Sequence, residues 1–317
     1  NSGIIRQQIK SGTPDWKFSI EYITDNIGFN GSDDRYSGEK NWADAYWFGY
    51  NETVFTLSGP LFTPQVKFFG LFNYNFINDA TPQPLPGINL GEITDPATGT
   101  TIDLTYAAGA KTNSWLQNYT GTGSFTFDFN PAIIRLIGTY TANSAPNPWS
   151  ATRDLNQLGN ILNTFRTEMV DQEDGGFNLK YTHLFTASSF LEANVGYSFS
   201  NLNRYDPLLK DRWLEYGDGK ANEELGLGID WPYNPNDPNP ITNNRYVTPP
   251  ALNLFNFKFF PYGAAIAAYQ KFNRQNYNFN LAYSSQITKE HNIKVGGEYQ
   301  YYDIANFSLG NEAILKL

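Results

Sequence analysis

The sequence predicts an all-β fold, a transmembrane antiparallel β-barrel, and three observations lead to this prediction. Extended stretches carry aromatic residues at every second position, as expected where successive side chains point to opposite sides of a β-strand. The stretches are joined alternately by short turns and by long polar loops, a pattern typical of membrane barrels. The charged residues of the stretches fall on the side opposite to the aromatic residues.

The stretch at residues 66–78 follows a Ser-Gly-Pro turn predicted at residues 58–60, and the cleanest alternation is at residues 117–129. From Val66 onward one side is mostly aromatic, and the other side becomes polar toward Asn78. Counting such stretches from Trp16 gives about nine strands, at residues 16–25, 45–58, 66–78, 117–129, 134–141, 177–182, 191–199, 276–283 and 293–302. Further short turns are predicted at residues 130–131, 186–188 and 288–290, with long polar loops at the other joints.

The long joints are predicted to be extracellular loops. One of them, at residues 145–173, contains a segment at 155–169 whose apolar residues have the spacing of a short helix. The joint between residues 199 and 270 includes a run rich in Pro and Asn at 232–240. Loops of this length are uncommon in compact soluble domains unless they have a function or are disordered.

Composition excludes several classes of function. The chain has 317 residues, a net charge of −9 and a sequence pI of about 4.8, which argues against nucleic acid as a partner. Mean hydropathy is −0.47, and no apolar run approaches the roughly 18 residues of a membrane helix. Because lipid accepts only helices or closed barrels as spanning structures, a membrane location would require a barrel.

The positions of the charges favour a barrel in lipid over a soluble sheet. A cation that faces lipid at the bilayer midplane costs about 2–4 kcal/mol, whereas a polar lumen imposes no comparable penalty. A soluble sandwich, which turns its apolar side toward a core, is the alternative. The residues predicted to face the lumen are Lys67, Arg135, Lys180, Glu192, Lys294 and Glu298, with Lys17, Glu21, Asp128 and Arg274 on the same side.

Three segments of the chain resemble the TonB-dependent outer-membrane receptors. The opening NSGIIRQQIKSG is similar to the segment that closes the plug domain in that family, although Gln7 and Gln8 depart from its usual pattern. LSGPLFTPQVKFFG resembles the Gly-Pro turn and the Phe-rich strand of these receptors. HNIKVGGE, beginning at His291, resembles their recurrent His-x-hydrophobic-Lys hairpin.

The resemblance implies a domain organisation and a function. Residues 1–12 would end the plug domain, and residues 13–317 would form the N-terminal part of a 22-stranded barrel, so that the chain is expected to be a fragment. The family imports bulky nutrients such as siderophores, oligosaccharides or peptides across the bacterial outer membrane. The expected partners are outer-membrane lipid and an inner-membrane energising complex that acts through the plug, with a surface lipoprotein as a further candidate.

The loops provide candidate ligand-binding residues. Their aromatic side chains could stack against a sugar or another flat ligand, and packing within the loops or at the headgroup level is the alternative; these residues are Trp42, Trp47, Trp213, Tyr216, Trp231 and Tyr233. Acidic loop residues could bind calcium, but their spacing does not match an EF-hand, so a solvated surface is the simpler interpretation.

No catalytic arrangement, metal site or cofactor is predicted. The chain has no Cys and two His, and this leaves little for thiolate or His-based chemistry. Three functions therefore compete: energised import through a plugged receptor, a porin or surface-binding barrel without energised transport, and a soluble carbohydrate-binding or hydrolytic β-protein. We favour the first because it accounts for both the sorting of charge and the plug-like opening segment.

Overall fold

The structure is a computed structural model in which part of the chain can be described. The described residues are 10–25, 32–33, 40–41, 48–80, 84–85, 88–94, 99, 101–106, 109–110, 113–146, 161–226, 236, 238, 252–254, 257–259 and 268–310. No helix within these ranges has the length and apolar character needed to cross a membrane.

Nine long strands form one antiparallel sheet, which we call the wall. Its strands are β1 (Lys17–Thr24), β4 (Asn51–Leu61), β5 (Thr63–Ile77), β10 (Leu116–Phe129), β11 (Ala132–Pro146), β12 (Met169–Thr186), β13 (Ser189–Tyr205), β16 (Tyr269–Gln286) and β17 (Asn292–Leu309). Each strand pairs with the next of these in chain order, so the wall is a meander. It is open, because within the described residues β1 and β17 each have one paired edge.

The remaining elements are short and lie in the long joints. They are β2 (Ser32–Asp33), β3 (Lys40–Asn41), β6 (Pro84–Leu85), β7 (Ile88–Thr94), β8 (Thr101–Tyr106), β9 (Gly109–Ala110), β14 (Leu252–Leu254), β15 (Phe257–Phe259), α1 (Gly219–Glu223) and the 3₁₀ segments Ile161–Arg166 and Trp213–Glu215. The strands among them pair as small hairpins, β2 with β3, β6 with β9, β7 with β8 and β14 with β15.

The prediction of an all-β fold with nine barrel-type strands and strictly alternating joints is confirmed. The short joints lie at residues 62, 130–131, 187–188 and 287–291, and the long ones at 25–50, 78–115, 147–168 and 206–268. The strands run several residues beyond their predicted ends, for example to residue 146 in β11 and to residue 309 in β17. The predicted loop helix at 155–169 is a 3₁₀ segment over its described part, and β12 begins at Met169.

The predicted turn at residues 58–60 is wrong. These residues belong to β4, whose pairing with β5 continues through Pro60 opposite Lys67, and the chain reverses at Phe62. Gly59 serves a close approach instead of a turn, because a Cβ atom there would lie 2.5 Å from the Trp16 ring. Phe62 has a φ of 60° and its side chain is fully exposed.

The pairing register divides the wall into two faces. One row across the sheet joins Phe68, Phe125, Leu136, Leu179, Val195, Phe279 and Tyr299 on seven successive strands. We call the side that carries this row the apolar face, and the opposite side the polar face. Rings on the apolar face contact each other between strands, as in Phe68 with Phe125 and Tyr197 with Tyr277, whose centroids are 5.2 and 4.9 Å apart.

The wall has almost no hydrophobic core. Six hydrophobic residues are buried in the described part of the chain, whereas thirty-three large hydrophobic side chains are exposed, most of them on the apolar face. Phe18, Phe279 and Tyr299, for example, are 76%, 45% and 64% exposed. A soluble antiparallel sheet covers its apolar face with another layer, and no such layer is present among the described residues.

Candidate functional site

The polar face gathers the residues that the sequence assigned to a lumen. The row of the polar face that lies beside the Phe68 row consists of Lys67, Thr126, Arg135, Lys180, Asn194, Asn280 and Glu298. Glu192 lies one row and Lys294 two rows closer to the short turns, on the same face, because they are two and four positions along their strands from Asn194 and Glu298. All six predicted lumen residues therefore share one face.

Positive charge is concentrated where β11 and β12 pair. Arg135 lies directly opposite Lys180, and Lys67 is two strands away in the same row. Like charges placed opposite each other in a sheet are destabilising. Glu192 offsets this repulsion, because its Oε1 is 2.5 Å from the Lys180 Nζ, but both side chains are partly exposed and the pair is worth little in water.

A groove lined by amides lies beside this charged row, farther from the short turns. Its volume is about 400 Å³, and its lining includes Asn178, Asn276, Asn278, Ser198 and Gly196. The Oδ1 atoms of Asn276 and Asn278 are buried and accept no hydrogen bond from the described residues. The residues that line the groove include no charged side chain, so its surface is polar but uncharged over the described residues.

Glycines deepen the groove. A Cβ atom on Gly196 would lie 2.1 Å from the Oδ1 of Asn278, and one on Gly176 would lie 2.3 Å from the carbonyl oxygen of Tyr197. This groove was not predicted from the sequence. The signal was the alternation Asn276-x-Asn278-x-Asn280, which puts three amides in line on one face.

The segment that leads into β1 crosses the polar face, and we call residues 10–15 the strap. The Thr13 backbone N–H donates to the Ser58 hydroxyl at 2.9 Å, and the Ser124 hydroxyl donates to the Lys10 carbonyl at 2.7 Å. Ser124 is fully buried. The strap also approaches β5, because a Cβ atom on Gly12 would lie 2.5 Å from the Phe68 backbone and 2.7 Å from the Lys67 Cβ atom, so it lies against three strands of the polar face.

Two of the six predicted aromatic loop residues lie within the described part of the chain. Trp42, Trp47, Trp231 and Tyr233 lie outside the described residues. Trp213 and Tyr216 belong to residues 206–226 of the joint between β13 and β16, which we call the ledge. Tyr216 is fully buried against Leu209 and Tyr269, and the ring of Trp213 stacks on Tyr269 with centroids 6.0 Å apart. In this arrangement Tyr216 offers no surface to a ligand, as in the packing alternative.

The ledge lies on the apolar side of the wall. Tyr205, Tyr269, Phe307 and Leu309, against which it packs, alternate in phase with Tyr197, Phe279 and Tyr299 of the apolar face. Trp213 and Tyr216 therefore lie on the side of the wall opposite to the polar face, and their role in ligand stacking stays a prediction.

A buried polar network fixes the ledge. The Arg166 Nε donates to the Asp206 Oδ2 at 2.6 Å, and another guanidinium nitrogen donates to the Asn222 Oδ1 at 2.7 Å. Arg166 and Asp206 have no exposed side-chain surface. The Asn222 amide donates in turn to the carbonyls of Tyr216 and Asp218, at 3.1 and 2.7 Å. These residues were not singled out from the sequence, since nothing local marks them as partners.

The Tyr216 hydroxyl completes this network. It accepts the Asp206 backbone N–H at 2.8 Å and donates to the Lys210 carbonyl at 2.5 Å. Burial raises the pKa of the Tyr216 phenol well above its ordinary value. Tyr216 is therefore a structural hydrogen-bonding group of the ledge. No cluster of three or more His, Cys, Asp and Glu side chains suited to a metal ion occurs in the part of the chain that the structure describes.

Comparisons with known proteins yield one similar structure. No family model matches the chain, and no curated protein matches its sequence. The chain is similar to the crystal structure of the outer membrane transporter YddB from Escherichia coli, with 12% sequence identity and a TM-score of 0.43. The match covers 86% of this chain and 28% of the transporter, so this chain spans little more than a quarter of that protein.

Proposed function

We propose that the chain forms part of the wall of an outer-membrane transport barrel, with lipid against the apolar face and the transport path along the polar face. The observation that carries this proposal is the exposed apolar face, which extends over all nine strands and which, among the described residues, only the ledge contacts, at the end far from the short turns. Contiguous apolar patches of more than a few hundred Å² are rare on soluble monomers. Hydrocarbon would stabilise this face without any further protein.

The sorting of charge supports the same orientation. The central rows of the apolar face, from Phe127 to Tyr197, contain no charged side chain within the described strands, whereas the rows of the polar face that alternate with them contain Lys67, Arg135 and Lys180. A cation on the lipid side would cost about 2–4 kcal/mol near the bilayer midplane. The reverse orientation would place all three cations in hydrocarbon.

The strap supports an occupied interior. It enters β1 across the polar face and is held there by hydroxyl groups of Ser58 and Ser124. In the receptors that the sequence resembles, the segment before the first strand leads from a plug domain. We therefore propose that residues 1–12 end such a plug and that residues 13–317 belong to the barrel.

By the same resemblance, the proposed activity is import of a bulky nutrient such as a siderophore, an oligosaccharide or a peptide. Energy would come from an inner-membrane complex through the plug, and a surface lipoprotein is a possible further partner. We propose no catalytic role and no cofactor for this chain. A porin or a surface-binding barrel without energised transport is the alternative.

Two measurements on the complete protein test the proposal. Electrophoretic migration in detergent before and after boiling should show the shift typical of a closed barrel, and clean solubility without detergent would exclude the membrane location. Uptake of radiolabelled nutrients should then be compared in cells with and without the inner-membrane energising complex. Loss of uptake is expected on its deletion, while undiminished uptake would identify a porin, and binding without uptake a surface receptor.

A further inference from the structure

We infer that the ledge is a membrane-contact element that rests in the headgroup layer of the outer leaflet and does not cover the mouth of the barrel. This inference rests on the proposed lipid contact of the apolar face and extends it to a loop. It follows from three observations: the height of the ledge above the apolar rows, the polar belt beneath it, and the apolar side chains that it leaves exposed.

The height follows from the register. Tyr283, near the short turn at residues 287–291, and Asn273 are ten residues apart on the apolar face of β16, a strand that the ledge contacts. With about 3.3 Å per residue and a strand tilt of about 40°, ten residues rise about 25 Å, which is the height of the apolar band in membrane barrels. Hydrocarbon is therefore expected to end near Asn273 on β16, whose row includes Asn201 and Ala305 on the two neighbouring strands. A row runs perpendicular to the strands, so with this tilt its height changes by about 3 Å from one strand to the next.

The composition of the apolar face changes around this row. Gln275 and Asp303 replace aromatic residues one row below it, Glu173, Asn201 and Asn273 occupy the row itself, and Asp171, Asn203 and Lys271 occupy the next row. The two carboxylates are held by hydroxyl groups, since Tyr140 donates to Glu173 at 3.1 Å and Tyr205 donates to Asp171 at 2.6 Å. This polar belt coincides with the expected boundary between hydrocarbon and headgroups.

The ledge contacts the wall directly above this belt. The ring of Trp213 lies 5.1 Å from that of Phe307, which is in the row of Asp171 and Lys271, and it also stacks on Tyr269, one row higher. On β16 these rows are about 5 and 10 Å above the expected hydrocarbon boundary, the first within a headgroup layer of about 5–8 Å and the second just above it. Trp and Tyr are enriched at this depth in membrane proteins.

The ledge also leaves apolar surface uncovered. Leu208 and Leu214 are 37% and 58% exposed, on a segment whose core packs against the lipid side of the wall. Their surface continues the apolar face upward past the polar belt. The occupant we infer is therefore the lipid headgroup layer, with its glycerol and upper acyl segments against the two leucines.

Site-directed spin labelling can test this contact because the chain has no native Cys. Leu214→Cys, Lys220→Cys and Phe279→Cys, each labelled with a nitroxide, would be prepared in the complete protein and reconstituted into vesicles of phosphatidylethanolamine and phosphatidylglycerol. Collision rates with oxygen, which partitions into lipid, and with a water-soluble nickel chelate would be measured. Heat-modifiable migration would confirm that each variant is folded.

The inference predicts a several-fold higher ratio of oxygen to nickel collisions at Leu214 than at Lys220, with the highest ratio at Phe279. Equal, water-like values at Leu214 and Lys220 beside a lipid-like value at Phe279 would overturn the inference and leave the proposed membrane location intact. A water-like value at Phe279 would overturn both. Low collision rates with both reagents at Leu214 would show a protein partner or a second copy there and would also overturn it.

Quenching of tryptophan fluorescence provides a second readout that needs no label. Lipids brominated near the headgroup should quench the wild-type protein more than the Trp213→Phe variant, because they remove the emission of Trp213. Lipids brominated near the chain ends should quench both proteins equally. Equal quenching of the two proteins by both lipids would place Trp213 outside the membrane interface and contradict the inference.

Discussion

The wall and the ledge are stabilised in opposite ways. The wall consists of nine strands with two exposed faces, and its side chains contact mainly their neighbours along and across the strands. The ledge has a small buried centre in which a fully buried ion pair, an amide and a phenol satisfy one another. The wall therefore depends on the solvent that its apolar face meets, whereas the ledge depends on a few specific hydrogen bonds.

The variant with the largest expected effect disrupts the ledge and leaves the wall intact. Arg166→Met would leave the Asp206 carboxylate buried without its charged partner, and breaking a buried pair in this way costs about 3–5 kcal/mol. Hydrogen–deuterium exchange on the membrane-inserted protein should show faster exchange in residues 206–226, while the strand amides stay protected. Spectroscopic melting of the barrel should change little.

Arg212→Met is the matched control, since Arg212 pairs with Glu215 on the exposed surface of the same ledge. An exposed pair is worth about 0–1 kcal/mol, so exchange in this variant should resemble that of the wild type. Equal protection of the ledge in the Arg166 and Arg212 variants would show that the buried network does not hold the ledge together.

The second prediction compares the two faces of one strand. Phe279→Arg would place a cation on the apolar face, at an expected cost of about 2–4 kcal/mol, because hydrocarbon does not solvate it. Asn280→Arg changes the next residue, whose side chain points to the polar face, and should cost little. Urea titration of folding into lipid vesicles measures both, and equal costs would contradict the assignment of the faces.

The same contrast separates what the sequence could predict from what it could not. The faces of the wall follow from alternation, which the sequence displays directly, and the six residues predicted to face the lumen share one face of the wall. Alternation also located most strands, although it missed the extension of β4 through Pro60. The pairing of Pro60 with Lys67 and the approach of Trp16 to Gly59 are contacts between segments.

The sequence contains no comparable pattern that would predict the contacts within the ledge. Arg166 and Asp206 are forty positions apart, and Asn222 follows sixteen positions later, so their meeting depends on how two loops fold together. The aromatic composition of the loops suggested ligand stacking for Trp213 and Tyr216. Only the register of Tyr269 and Phe307 shows that these rings pack on the apolar side of the wall.

The third prediction concerns the amide-lined groove. Gly176→Ala would place a Cβ atom 2.3 Å from the Tyr197 carbonyl oxygen, so the paired strands must separate locally, at a cost of about 1–3 kcal/mol. Gly121→Ala is the control, because a Cβ atom there meets nothing within 4 Å. That change should be neutral or slightly stabilising through the reduced entropy of the unfolded chain. Urea titration should give a lower free energy of unfolding for Gly176→Ala than for Gly121→Ala.

The prediction with the smallest expected effect tests whether the polar face is hydrated. In a double-mutant cycle with Lys180→Gln and Glu192→Gln, the coupling energy should be about 0.2–1 kcal/mol, because both groups are partly exposed to water. Raising the salt concentration should reduce it further by screening. A coupling of several kcal/mol that salt leaves unchanged would mean that water is excluded around Lys180. Such a result would contradict a hydrated path there and would favour a tightly packed interior against this part of the wall.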